Sequence, residues 1–427
     1  MSAAFIIRPA HNLRGSVQLP GDKSISHRYA MLAALADGES RLANYSTGAD
    51  CASTLTCLRS LGVPCQIKDD VVTVQGTGLN LAAPRVALDC GNSGSTIRML
   101  SGILAAQPFS SELRGDESLS RRPMKRIIEP LHRMGAMIRS NDSRPPLSIT
   151  GRSLHAIDYQ IPVASAQVKT CLLFAALSAV GETHLTEPLR TRDHGEIALR
   201  AFGAQVDYQG GGIRIRGGQR LHGIVAHIPG DISTAAFFLC AAALFRGSQL
   251  TIPYLLMNPT RARLLDLLIQ MGLRISVTQL EETHGELVGT VQLEGHNLKG
   301  ATIAGADTAA LIDEIPVLAA IAPYTEHGLE VRDAAELRVK ESDRIRAIAT
   351  NLRAMGADLE EREDGLRIPG GQVLHGAELE SFADHRIAMA FSVAALRAQG
   401  DTLIRGSDSA AISYPAFFST LESLLER

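Results

Sequence analysis

The 427-residue sequence predicts an α/β (α+β) protein of six repeated units, gathered three and three into two domains. Three observations carry that expectation. The chain is too long for one ordinary hydrophobic core. A helix-closing signature, Leu, three residues, then Gly, occurs at Leu58–Gly62, Leu131–Gly135, Leu199–Gly203, Leu268–Gly272 and Leu352–Gly356, with the glycines 73, 68, 69 and 84 residues apart. An apolar helix with a polar start begins near Ser26, Ser95, Ser165, Ser233, Asp313 and Asp384, at separations of 69, 70, 68, 80 and 71 residues. Solenoid repeats run about 20 to 50 residues and share their cores with neighbours, so units of this length fit two clusters of three better.

The elements follow in order. Each signature glycine suits the left-handed residue that ends a helix before the chain turns back into a strand. Alternating stretches between the two helices of a unit, such as Val71–Val74 and Ile213–Arg216, have the period of half-buried strands. The last helix, Tyr414–Leu425, has no sixth strand after it, and the first strand, Phe5–Arg8, is placed to complete that unit. One domain is then continuous over 21–228. The other joins 1–20 to 229–427, with the hinge near residues 20 and 228.

Composition excludes several functions. With 45% hydrophobic and 20% charged residues the chain reads as globular. A net charge of −3, with no basic block interleaved with aromatics, removes the case for a nucleic-acid partner. No run reaches the roughly 18 to 20 apolar residues of a membrane span. The N-terminus reads as a first strand rather than a signal peptide. We therefore expect a cytoplasmic monomer with no membrane partner. Six cysteines show no metal-binding spacing, and Cys171 and Cys240 fall in apolar helices as small buried hydrophobes. Lysine is scarce, six against 36 arginines, which a GC-rich genome also produces.

The polar helix starts are the candidate site. Gly21–Arg28 follows Pro20 and runs into the apolar Tyr29–Ala36. Lys23, Ser24 and Arg28 place a point charge, a hydroxyl and a bidentate fork where free N–H groups and the helix dipole favour an anion. A Ser-capped helix with two solvated cations is the alternative. Gly91–Thr96 supplies Asn92, Gly94 and Ser95 in a turn that lets backbone N–H groups approach an anion closely. Ser165–Lys169, Gly230–Thr234 and the pair Asp313–Glu314 begin the next three helices. Asp384 reads as a cap, but His385 and Arg386 add cations that a cap does not need. Two loops carry further charge. One is Leu113–Arg126, a solvated basic loop or an oxyanion clamp. The other is Glu336–Arg346, where Arg338, Lys340, Glu341 and Arg344 also have the spacing of helical ion pairs.

Together, Gly-Asp-Lys-Ser-Ile-Ser-His-Arg at 21–28, Gly-Asn-Ser-Gly-Ser-Thr at 91–96, Arg-Pro-Met at 122–124, Ser-Ala-Gln at 165–167, Leu-Arg-Val-Lys-Glu-Ser-Asp-Arg at 337–344 and Asp-His-Arg at 384–386 resemble the EPSP synthase family across essentially the whole chain. The resemblance implies the enolpyruvyl transferase fold, two domains of three βαβαββ-type units with parallel helices inside, closing about a hinge. It implies transfer of the enolpyruvyl group of phosphoenolpyruvate to the 5-hydroxyl of shikimate 3-phosphate, without metal or organic cofactor. Two polyanionic substrates account for cations at helix starts in a protein of net negative charge. Addition followed by elimination requires a carboxyl group that alternates between acid and base among cations. The resemblance makes Asp313 the base at the 5-hydroxyl, Glu341 the proton donor and acceptor at C3, and Lys23 a bridge to both substrates. It puts shikimate 3-phosphate against Lys23, Ser24, Arg28, Ser165, Ala166, Gln167, Arg192, Asp313 and Lys340. Phosphoenolpyruvate falls to Lys23, Asn92, Gly94, Arg122, Gln167, Arg344 and Arg386, with Asn92 and His385 near the reacting centre.

Some residues depart from the family pattern. Ser165-Ala-Gln stands where some members have Ser-Ser-Gln, so a hydroxyl contact passes elsewhere or to the backbone. No lysine precedes Tyr414–Pro415, and Thr191–His194 resembles the branch with Arg in place of Tyr at the sugar phosphate. The related transferase acting on UDP-N-acetylglucosamine typically has Lys-Asn in place of Lys23–Ser24 and a Cys in the loop that is Arg114–Arg122 here, which has none. A non-catalytic sensor of phosphorylated metabolites would gain little from Asp313 and Glu341 beside its ligands.

Overall fold

The computed structural model describes residues 3–209 and 211–427. The chain falls into two compact units. One holds Gly21–Ile228 with the short stretch Thr283–Glu286; the other holds the chain up to Pro20, Pro229–Glu282 and Leu287–Arg427.

The first unit contains three four-stranded sheets built on one plan. Leu88–Asp89 runs parallel to Ser110–Arg114, which pairs antiparallel with Arg144–Thr150, itself in a hairpin with Met137–Asn141. The helices Gly94–Leu104 and Lys125–Arg133 make the connections, so the order is βαβαββ. A helix is the usual crossover between neighbouring parallel strands. Asp158–Gln160, Glu182–Thr186, Gly212–Arg216 and Val206–Gln209 repeat the plan. In the third sheet Val225–His227, from the end of the unit, lies parallel to Asp37–Ala43 and so leads the repeat formed by the unit's own beginning. The hairpins that contain Val71–Val74 and Ile213–Arg216 follow the second helix of each repeat instead of separating the two helices.

The second unit uses the same plan. Asn12–Ser16 lies parallel to Gln249–Leu256, which pairs with Glu286–Glu294. Ala301–Ile303, Leu329–Val331, Gly365–Ile368 and Glu360–Arg362 form another sheet. In the last repeat Glu378–Glu380 runs parallel to Thr402–Arg405, and the antiparallel partner is Ala4–Ile7. The chain start therefore supplies the strand that the final repeat lacks, one residue earlier than the expected Phe5–Arg8. The final helix is Phe417–Leu424, and a two-residue strand, Leu425–Glu426, does follow it, pairing with Asn12 and Leu13.

Sequence explains which helices go inside. Ile232–Ala243 and His385–Ala395 are buried at every position, and Lys23–Leu35 from Ile25 onward. A helix apolar all round is a core helix, and here many positions are Ala, which lets backbones approach. The limit is reached at Gly102, where a Cβ would lie 2.0 Å from the carbonyl oxygen of Cys171 on the Ala166–Ala176 helix. All six cysteines are buried and free.

The five signature glycines end their helices as expected, with φ between +82° and +103°. Each glycine N–H reaches the carbonyl three residues back, and the next N–H reaches the signature leucine, as in Val63 to Leu58 and Ala357 to Leu352. That is the Schellman arrangement, which only a left-handed residue allows.

Candidate active site

The first unit presents three repeat-helix starts, whose polar residues are bound to one another. Lys23 is the first residue of its helix, and the cap is Asp22, whose carboxylate accepts from the Ile25 N–H, instead of a serine. Lys23 Nζ lies 3.1 Å from Asp50 Oδ2, an anchor that sequence spacing does not reveal. Arg28 is 3% exposed. Its Nε and Nη2 donate to the Thr170 hydroxyl at 3.2 and 2.9 Å, Nη1 to the Ser24 carbonyl at 2.9 Å and Nη2 to the Ala166 carbonyl at 3.4 Å. One guanidinium thus ties the Lys23 helix to the helix capped by Ser165. Burial, eased mainly by Glu196 and Asp22 and reinforced by Arg192, brings its pKa down to about 10.

The loop carrying Arg192 is fixed from beneath. Lys169 is fully buried and pairs with Glu187 at 3.1 Å and Glu196 at 2.9 Å. Glu187 in turn accepts from the Thr191 N–H at 3.0 Å and the Thr191 hydroxyl at 2.6 Å, one residue before Arg192. A buried charge of this kind needs partners on all sides.

Around Gly94 the cations are drawn in by short polar links. Arg122 Nη2 donates to Asn92 Oδ1 at 2.8 Å and to Ser118 Oγ at 3.2 Å, while Asn92 Nδ2 donates to Asp116 at 2.7 Å. The Leu113–Arg126 loop is therefore tied to the turn at 91–94 and is not simply a solvated basic loop. Gln167 donates to Ser95 Oγ at 2.9 Å and accepts from Arg98 Nη1 at 2.8 Å. A Cβ on Gly94 would lie 2.6 Å from Arg98 Nη1 and 3.3 Å from Arg122 Nη1. Two guanidiniums thus converge on a helix N-terminus capped by Ser93, an arrangement suited to an anion. Arg98 belongs to this group although no motif singled it out; its position one helical turn after Gly94 was the available signal.

The second unit gathers carboxylates as well as cations. Arg344 is 1% exposed and meets three of them: Asp384 Oδ2 at 2.8 Å from Nε, Glu341 Oε2 at 2.5 Å from Nη2, and Asp313 Oδ1 at 3.6 Å from Nη1. Burial opposes its charge, but Asp384, Glu341 and Asp313 hold the guanidinium above its usual value. Arg386 donates from Nη1 to the Asp313 carbonyl at 2.8 Å, and its Nη2 is 3.9 Å from Asp313 Oδ2. Asp313 therefore lies between two guanidiniums. Its side chain and that of Glu341 are each 18% exposed, whereas Asp384 is completely buried. Desolvation lowers the pKa of Lys340, with Asp313 opposing and Arg344 adding to the effect. His385 is buried as the first residue of its helix.

Adjacent carboxylates here have different tasks. Glu314 is buried against Ser233 and Arg261, whereas Asp313 keeps partial exposure. Asp384 caps its helix through the Arg386 N–H at 2.9 Å and also holds Arg344 and the Ser342 hydroxyl. Among the described residues no cluster of metal-binding side chains occurs, and no helix is long and apolar enough to cross a membrane.

Comparison with known proteins agrees with these residue patterns. The family model for EPSP synthase (3-phosphoshikimate 1-carboxyvinyltransferase) matches residues 7–421. The 3-phosphoshikimate 1-carboxyvinyltransferase of Koribacter versatilis is 60% identical, with 99% of each chain covered, and that of Solibacter usitatus is 57% identical over 98% of this chain and 99% of its own. A solved EPSP synthase from Acinetobacter baumannii superposes with a TM-score of 0.88 at 42% identity, covering 99% of this chain and 98% of that one. With kinship of that degree running from end to end, the chain belongs to the EPSP synthase family.

Proposed function

We propose that the chain transfers the enolpyruvyl group of phosphoenolpyruvate to the 5-hydroxyl of shikimate 3-phosphate, releasing phosphate, as a step in aromatic biosynthesis. The observation that carries the mechanism is the trio around Arg344. Asp313 and Glu341, both partly exposed, lie on one buried guanidinium, so two carboxylates capable of moving protons are held among cations. A site that only binds polyanions has no use for that pair.

In this reading Asp313 takes the proton of the 5-hydroxyl as its oxygen attacks C2 of phosphoenolpyruvate. Glu341 delivers a proton to C3, giving a tetrahedral intermediate with a methyl group. Glu341 then removes a proton from that methyl group as the C2–O bond to phosphate breaks, and the hydroxyl proton leaves with phosphate. Lys23, Ser24, Arg28, Ser165, Gln167, Arg192, Asp313 and Lys340 hold shikimate 3-phosphate, with Ala166 contributing its backbone N–H. Lys23, Asn92, Gly94, Arg122, Gln167, Arg344 and Arg386 hold phosphoenolpyruvate, and His385 lies beside the reacting atoms. Fixed cations in a partly desolvated site restrain the developing charge without reorganising.

Phosphate release from purified protein given both substrates tests the proposal. Release that requires both substrates and is abolished in Asp313→Ala, with the fold retained, is expected. Absence of release although both substrates bind would refute it.

A further inference from the structure

The stretch Gly21–Arg28 contains a histidine that this mechanism leaves idle. His27 is fully buried on the Lys23–Leu35 helix, and its Nδ1 lies 2.7 Å from Thr54 Oγ1 on the Ala49–Ser60 helix. Thr54 Oγ1 is 2.7 Å from Thr96 Oγ1 on the Gly94–Leu104 helix, and Thr96 donates to Ser93 Oγ at 2.8 Å. Ser93 Oγ also accepts from the Thr96 N–H at 3.1 Å. Thr54, Thr96 and Ser93 are, like His27, wholly buried.

This chain has only one possible direction. A hydroxyl has one proton to donate. Thr96 gives its proton to Ser93, so Thr54 must donate to Thr96. Thr54 has then no proton for the ring, so His27 must donate to Thr54 from Nδ1. The imidazole is thereby fixed as the neutral Nδ1–H tautomer, with Nε2 buried and lacking a hydrogen-bond partner among the described residues. Burial, with Lys23 and Arg28 close by, lowers its pKa well below 6.5 and keeps it neutral.

We propose that His27 is a positioning residue which, through Thr54 and Thr96, sets the Ser93 cap and so aims the N–H groups at the start of the Gly94 helix at phosphoenolpyruvate. The link runs from the helix that carries Lys23 to the turn that carries Asn92 and Gly94, so it fixes two substrate-facing helix starts against each other. Polar chains that are fully satisfied in a low-dielectric interior impose one geometry. Val in place of both threonines would bury nearly the same volume but leave the Ser93 cap held by the Thr96 N–H alone, without the hydroxyl link to His27. The assignment of the ligand at Gly94 rests on the function proposed above.

Thr54→Val removes the link and Thr54→Ser keeps it. Thr54→Val should raise the KM for phosphoenolpyruvate about tenfold, with kcat and the KM for shikimate 3-phosphate within about twofold of wild type, and Thr54→Ser should restore it. An unchanged phosphoenolpyruvate KM, or an equal rise in both KM values, overturns the proposal. Nitrogen NMR of the wild-type protein reads the tautomer independently of activity and of any variant's folding. A protonated Nδ1 is expected, and a protonated Nε2 overturns the proposal. Should the wild type fail to turn over these substrates, the function is refuted separately; calorimetric titration of the same variants with inorganic phosphate then reads the anion site, where undiminished binding in Thr54→Val counts against His27 as a positioning residue and weaker binding rescued by Thr54→Ser supports it.

Discussion

Arg344 and Asp384 form a buried pair, Nε to Oδ2 at 2.8 Å, in which the carboxylate also caps the helix that presents His385 and Arg386. One side chain thus fixes a guanidinium and a helix start together. Removing one member of a buried pair costs about 3–5 kcal/mol, because the other charge is left uncompensated. Asp384→Ala should lose that much in urea denaturation, and Asp384→Asn, which keeps an acceptor for the cap, should lose less. Equal stability of wild type and Asp384→Ala would contradict the role given to the pair.

Gly94 has no room for a methyl group. Its Cβ would displace the Arg98 and Arg122 guanidiniums, which lie 2.6 and 3.3 Å from that position. Both are side-chain ends that can move, so the fold survives and the anion geometry does not. Gly94→Ala should raise the KM for phosphoenolpyruvate at least about tenfold and leave that for shikimate 3-phosphate nearly unchanged.

Gly102 tests packing alone. Ala is the better helix former by about 1 kcal/mol. Here its methyl group would strike the Cys171 backbone at 2.0 Å, and backbone cannot swing aside. Overpacking of this kind costs about 1–3 kcal/mol, so Gly102→Ala should lower the thermal midpoint. A rise would show that the two helices separate more easily than their contact implies.

Acid should act on His27. Burial, together with Lys23 and Arg28, holds its folded pKa well below 6.5, so at mildly acid pH the unfolded chain binds a proton that the folded chain does not. Its contribution to stability is complete above the unfolded value and is lost as pH falls through the window beneath it, by up to about 1.4 kcal/mol per pH unit. Between about pH 6.5 and 5.5, wild type should lose about 1 kcal/mol more stability than His27→Asn in urea denaturation. Parallel losses would mean that His27 titrates normally in the folded protein.

Much of the fold was legible because it rests on local signals. The Leu-to-Gly spacing reports a helix end that needs a left-handed residue, and that need depends on nothing beyond the next few residues. Helix caps were less legible. Asp22, Ser93 and Asp231 cap helices whose starts the repeat spacing puts near Ser26, Ser95 and Ser233, two to four residues later, because any short polar side chain suits a cap. Motifs named Lys23, Arg28, Arg122 and Arg344, but not what holds them. Asp50, Thr170 and Asp384 become partners of Lys23, Arg28 and Arg344 only when helices from different parts of the chain stack, whereas Ser118 meets Arg122 from four residues away. Asp384 shows the limit well: it reads as a cap, which it is, and its second task for Arg344, 40 residues away, has no local trace. Gly102 likewise resembles any helical glycine until Cys171 is brought against it.

The central claim is addition followed by elimination, with a methyl group formed at C3 by a proton from the protein and then stripped of one. Turnover of phosphoenolpyruvate and shikimate 3-phosphate in deuterium oxide, read by proton NMR of the enolpyruvyl product, tests it most directly. The account predicts a vinyl ether whose methylene group carries solvent deuterium, because the methyl group of the intermediate holds one solvent-derived hydrogen. A product with no deuterium in its methylene group, or no vinyl product at all, would contradict it.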